Sequence, residues 1–239
     1  MKINWNYIKG AVLLSLVMFL FAFSSARNGS RKVLKTTIEF VEEKKPFITH
    51  ETVSKLLIQN HEPLTSVPKE TLDLNVLESA LNANAMIEKA EVFLDVNGDF
   101  LAKIKQKEPI ARVLSSDSYY IDNKGGYMPL SSNFTARVPM VTGEVSKKNL
   151  NNVFAIASRI VSDEFLKKNV VEIIQNKNMS IDLKLRQCNF IVKIGKLEHL
   201  DKKVNNLKAF FKKAIKDKSL DKYSKVNLQF ENQVVCTKV

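Results

Sequence analysis

Cysteine is almost missing from this chain of 239 residues: Cys188 and Cys236 are its two, and no Cys-x-x-Cys pair occurs. A disulfide scaffold is excluded, and a single bridge stays open only in an oxidising compartment. Cys236 stands in an apolar strand pattern, where a free thiol acts as a small hydrophobe. Glycine and proline are scarce too, with seven and six residues, so no flexible low-complexity linker is visible. The three histidines, His50, His61 and His199, lie far apart. No His, Cys, Asp or Glu group has zinc-ligand spacing, which points to surface histidines and no metal. G-x-S-x-G, the Walker loop and G-x-G-x-x-G are all absent. The carboxylates are spread along the chain without an apolar pocket that would raise one pKa, so an acid/base dyad is unsupported. The expectation is a protein with no catalytic residues, no cofactor and no small-molecule substrate.

One pattern imitates an enzyme. Ser66-Val67-Pro68-Lys69 fits S-x-x-K, Ser131-Ser132-Asn133 fits S-x-N, and Val141-Thr142-Gly143 partly matches K-T-G. That order occurs in penicillin-binding enzymes. Pro68 puts Ser66 in a loop, however, so no helix brings Lys69 one turn from it, and the third triplet lacks its lysine.

What is present is charge and apolar patterning. The formal net charge is +12, from 37 Lys and Arg against 25 Asp and Glu. Such a balance suits nucleic acid, a phospholipid surface or an acidic partner. No RNP sequence, zinc-finger spacing or base-reading helix-turn-helix is found, so nucleic acid is not expected. The densest run, KAFFKKAIKDKSLDKYSK at 208–225, reads as a solvated lysine-rich helix face. With 45% hydrophobic and 26% charged residues the chain is globular in composition, and its length allows one large or two ordinary domains.

The N-terminus holds the one long apolar run, Ala11 to Phe23 broken only by Ser15. Extended to Ile8 and Ala26, it approaches the ~20 residues of a membrane helix. Trp5 and Tyr7 stand at one interface, and Arg27, Arg31 and Lys32 at the other. The competing reading is a cleaved signal peptide ending at Ser24-Ser25-Ala26. On either reading the remainder is exported. More basic residues follow the run than precede it, which by charge alone favours the opposite orientation. Large downstream domains translocate largely regardless of charge, so the short N-terminus is kept inside.

Beyond the anchor, 33–41 reads as a strand, Thr49 as the cap of a helix with Val53, Leu56 and Leu57 inward, and Asn75 with Glu78 as a capping-box pair ahead of Leu77 and Leu81. Alternating strands flank Asn97-Gly98, a hairpin signal in which both turn positions would take positive φ. The stretch IKQKEPIARV (104–113) then raises a difficulty. Phe100, Ala102, Ile104 and Gln106 alternate with Leu101, Lys103, Lys105 and Lys107 as in a half-buried strand, yet Pro109 has no amide hydrogen for a ladder. Glu108-Pro109 is therefore read as a boundary, with Ile110 to Val113 belonging to the next domain. There, strands are expected at SYYID, YMPL, RVPMVTG, VVEIIQN, MSIDLKLR and NFIVKIG. One helix is expected over 149–168 with Leu150, Val153, Phe154, Ala157, Ile160 and Val161 inward, and another over 199–216 with Leu200, Val204, Leu207, Phe211 and Ile215 inward. The hairpin KVNLQFENQVVCTK closes the chain. The fold class is α+β, the second domain being mostly antiparallel with helices covering one face.

The segments DLNVLESALNANAMIEKAEVFLDVNGDFLAKIKQKEPIARV and YYIDNKGGYMPLSSNFTARVPMVTGE resemble the FtsQ/DivIB family of bacterial cell-division proteins, in the form found in Bacteroidetes. The resemblance covers nearly the whole chain. It implies a short cytoplasmic tail (1–7), a transmembrane helix (8–26) in the bilayer, a linker (27–32), a POTRA domain (33–108, β-α-α-β-β) and a β domain (109–239). It further implies a single-pass inner-membrane protein, mostly periplasmic, that recruits the septal peptidoglycan machinery through FtsB and FtsL without catalysis. In relatives the partner adds a strand to the last strands of the β domain. Carried over by position, that surface comprises Lys225, Gln229, Phe230, Glu231, Asn232, Gln233, Val234, Val235, Cys236, Thr237 and Lys238. Val226, Leu228 and Phe230 would be core, while Lys225, Gln229 and Glu231 face outward; a proline at Thr237 probes the edge provided that its amide points outward to the partner. The alternative is another POTRA-bearing envelope protein that assists exported polypeptides. A lone unit of that type and no barrel sequence count against it.

Overall fold

The computed structural model describes residues 5–29, 31–41, 46–58, 67–69, 72–147, 149–230 and 233–239. Its two compact units are Met1–Gln106 and Lys107–Val239.

The first unit begins with α1 (Trp5–Gly29), whose 25 residues span about 37 Å at the helical rise. That exceeds the ~30 Å hydrocarbon core of a bilayer. None of its apolar window is buried inside the chain, and a helix apolar all round needs a non-aqueous neighbour. Arg27, Asn28 and Gly29 form the last residues of this helix.

After α1 come β1 (Lys35–Phe40), α2 (His50–Ile58), α3 (Leu74–Asn82), β2 (Ile87–Leu94) and β3 (Asp99–Gln106). The sheet order is β1-β3-β2, with β1 parallel and β2 antiparallel to β3. Phe100, Ala102 and Ile104 of β3 share one core with Val53 and Leu57 of α2 and with Leu77 and Leu81 of α3. Thr49 caps α2, its hydroxyl accepting from the Thr52 amide at 3.2 Å. For α3 the capping-box expectation fails. Asp73 is the cap, accepting from the Asn75 and Val76 amides at 3.0 and 3.2 Å. Glu78 is turned instead to the Val92 amide (3.2 Å), and Asn82 takes the Ala90 amide (2.7 Å). Both amides lie on the outer strand, so α3 closes an edge that would otherwise be open to pairing. The hairpin is corrected too. Only Gly98 has positive φ there (+98°), donating to Asp95 O at 3.0 Å, so Asn97 is not left-handed.

The second unit contains β4 (Pro109–Val113), β5 (Tyr119–Asp122), β6 (Tyr127–Pro129), β7 (Met140–Gly143), α4 (Asn151–Val161), α5 (Glu164–Asn169), β8 (Val170–Gln175), β9 (Ile181–Leu185), β10 (Ile191–Gly195), α6 (Leu200–Lys216), a 3-10 turn at Leu220–Lys222, β11 (Tyr223–Asn227) and β12 (Val235–Lys238). The sheet order is β12-β11-β10-β9-β8-β7-β4-β5-β6. Pairs β4–β7, β7–β8 and β10–β11 are parallel and the other neighbours antiparallel. Val153, Ile156, Ala157, Leu166, Val204 and Leu207 from the helices form one core with the inward strand residues. The other face carries Met140, Glu172, Lys184, Ile191, Lys225 and Thr237 in register across the strands.

Pro109 resolves the difficulty of a proline in an apolar run. It is the first residue of β4 and pairs only with Asp122 of β5, because the β4–β7 ladder is confined to Arg112 and Val113. A missing donor costs little at a strand start. Lys107 reinforces the entry, its ammonium lying 3.1 Å from the buried Asp122 carboxylate and 2.9 Å from Tyr127 O.

The single helix expected over 149–168 is two. Asp163 is buried and extended, and its carboxylate accepts from the Phe165 and Leu166 amides to start α5. Ile156, not Val161, is the inward residue, Val161 being 41% exposed. Burial alone would raise the Asp163 pKa. The Lys208 hydrogen bond, the Leu166 amide and the charges of Lys208 and Arg159 outweigh it and leave the carboxyl below its ordinary value. A depressed carboxyl pKa contributes stability that is complete above the unfolded value of about 3.9 and is lost as pH falls through the folded value. Asp163→Asn keeps a capping side chain but removes the charge. It should cost about 1–2 kcal/mol at neutral pH, below the figure for a sealed pair because Lys208 keeps 37% of its side chain in solvent. The gap between variant and parent in thermal melts should narrow below pH ~4.

Candidate functional site

β12 is the outermost strand of the large sheet, and its antiparallel partner is β11. Val239 N donates to Lys222 O at 3.1 Å on one side, and Leu228 N donates to Lys193 O at 2.9 Å on the other. In an antiparallel ladder, hydrogen-bonded and open pairs alternate. Lys225 and Asn227 therefore face Thr237 and Val235 in bonded pairs, whereas Val226 opposite Cys236 and Tyr223 opposite Lys238 are open pairs. The amides of Cys236 and Lys238 thus point to the free edge. Thr237 points inward to β11, so a proline there does not meet the condition for probing the free edge.

Side chains sort differently from amides. Val234 and Cys236 pack against the core, while Gln233, Val235, Thr237 and Lys238 are exposed. Val226 and Leu228 are buried at 0% and 1%, but Phe230 is 47% exposed, so it does not join the core as alternation suggests. β11 ends at Asn227, and the strand period no longer applies three residues later. Lys225 is exposed on the open face. Gln229 is exposed as a residue, yet its amide group lies 2.6 Å from where a Cβ on Gly195 would stand, so it folds over the end of β10. Glu231 and Asn232 lie outside the described residues. Both thiols are free, Cys188 buried and Cys236 half-buried, so no bridge forms. Burial pushes both upward in pKa, assisted at Cys188 by Asp221, which makes them poor nucleophiles at neutral pH.

The family model described as FtsQ/DivIB, C-terminal related matches residues 108–237, which takes in β4 through most of β12. The chain belongs to that family. No curated protein matches it. Family membership ties the chain to cell division and to the protein interactions of the division machinery. The enzyme-like triplets find other employment in this FtsQ/DivIB relative. Lys69 Nζ donates to Asp95 O and Val96 O at 3.0 and 3.2 Å, and Thr142 donates to Glu172 at 2.8 Å. Ser66 lies outside the described residues. Among the described residues no group of three or more His, Cys, Asp or Glu could hold a metal ion.

Sequence reasoning missed which backbone groups of the last strand are open. The alternation of Val226 and Leu228 contained that signal, since inward side chains on β11 fix the register of the strand beside it.

Proposed function

We propose that the chain is a non-enzymatic divisome scaffold that recruits and regulates septal peptidoglycan synthesis by pairing the free edge of β12 with a segment of the FtsB–FtsL pair. The observation that carries this reading is the open edge itself, with the Cys236 and Lys238 amides unmatched by a further strand among the described residues. Strand addition draws affinity from such main-chain groups and specificity from the side chains beside them. The contact surface is then Lys225, Gln229, Phe230, Glu231, Asn232, Gln233, Val234, Val235, Cys236, Thr237 and Lys238. Val234 and Cys236 act within it from the core side. The test is copurification of coexpressed FtsB–FtsL with the full chain. Failure of an intact, folded chain to retain them contradicts the proposal.

The first unit beyond α1 acts as a POTRA domain on this reading, supported by its β-α-α-β-β order and parallel β1–β3 pair. α1 anchors the chain in the inner membrane with its N-terminus in the cytoplasm, and the first unit beyond α1 and the whole second unit lie in the periplasm. Mass spectrometry of membrane-extracted protein should find residues before Arg27 still attached. A mature N-terminus at Arg27 would instead mean a cleaved signal peptide and a released protein.

A further inference from the structure

Ile215 lies on the stripe of α6 expected to face the core, yet it is 53% exposed, and Ala214 is buried instead. It borders a groove of about 890 Å³ between α5, α6 and the β9–β10 turn. Phe165, Phe211 and Leu220 line it with Ile215, and the two aromatic rings meet edge to face at 5.2 Å between centroids. Around this apolar floor stand Lys168, Arg186 and Lys212, all exposed, against one acidic side chain, Glu164. None of the three cations makes an ion pair among the described residues. Lys208 is different, because it is held by Asp163. The rim is also fixed in place: Arg186 N donates to Asn169 O at 2.7 Å, tying the turn to the end of α5.

We propose that this groove is a second docking site, for an acidic peptide segment of a partner protein that carries a large apolar side chain. The apolar floor takes the anchor residue, and the rim cations meet flanking carboxylates. Such an arrangement gives specificity and encounter rate through charge and residence through the buried anchor. A flat phospholipid surface meets the rim but not a floor recessed between two helices. The site is separate from the β12 edge and does not rest on that reading.

A random peptide library displayed on phage, selected on the detergent-solubilised full chain, tests it. Selected peptides should be enriched in Asp and Glu together with Leu, Ile or Phe. By fluorescence anisotropy, Lys168→Glu/Lys212→Glu should weaken them on the order of tenfold, and binding should decline with salt. Ile215→Ser should weaken the same peptides without changing charge, and Arg186→Glu gives the charge test again should the double variant misfold. No enrichment, enrichment of non-acidic peptides, or equal binding to all variants overturns the proposal. Binding of phosphatidylglycerol vesicles that is lost in the charge variants, with no peptide selected, overturns it in favour of lipid.

Discussion

Gly143→Ala should destabilise the second unit by about 2–5 kcal/mol, a large part of the 5–15 kcal/mol typical of a folded domain. Gly143 ends β7 with φ at +92°, a conformation that costs any residue with a side chain. An added Cβ would also stand 2.1 Å from Gln175 O, the carbonyl that accepts from Glu144 N at 2.8 Å. Relief cannot come from a rotamer, because the obstacle is backbone of the neighbouring strand. Gln175 is fully buried, and its amide donates to Glu144 O at 2.7 Å, so β8 is locked to the same turn. Moving either strand strains the parallel β7–β8 pair at the middle of the sheet. In thermal melts of the detergent-solubilised chain the midpoint should drop by roughly 5–15 °C. A shift within error would mean that this turn relaxes freely.

Much of the architecture was legible because apolar period is a local signal. Val53, Leu57, Leu77 and Leu81 fall on helix faces that the structure buries, and Phe100, Ala102 and Ile104 on one face of a strand. The failures have physical causes. Asp163 reads as one more polar residue on a helix surface; the tertiary partner Lys208, joined by Arg159 four residues back, holds it as a buried cap that splits the helix. Ile215 follows Phe211 by four residues, but the buried stripe of α6 passes from Leu207 to Ala214, seven residues on, and leaves Ile215 outside it. The parallel pairs β4–β7, β7–β8 and β10–β11 depend on crossovers that periodicity does not encode.

At the candidate site the sequence resemblance named the last strand without saying which of its backbone groups are open. Thr237 and Lys238 look equivalent in a string of letters. Their difference, one amide turned to β11 and one to the open edge, comes from strand register alone.

Lys238→Pro should consequently weaken FtsB–FtsL binding while leaving the hairpin intact. The substituted position has an exposed side chain, and its lost donor faces the free edge of the sheet, not β11. Proline is tolerated on an edge strand in that orientation. Removing one ladder donor from a bond that the complex buries costs about 1–3 kcal/mol, or roughly tenfold to hundredfold in affinity. Thr237→Pro is the contrast, because its lost donor belongs to the β11–β12 ladder. That variant should loosen the hairpin itself and lower the melting temperature.

The decisive measurement is the affinity of the full chain for the coexpressed FtsB–FtsL pair, wild type against Lys238→Pro, with circular dichroism and melting temperature recorded on the same samples. The edge-pairing account predicts an unchanged fold with affinity reduced roughly tenfold or more. A Lys238→Pro protein that stays folded and binds as tightly as wild type would contradict it.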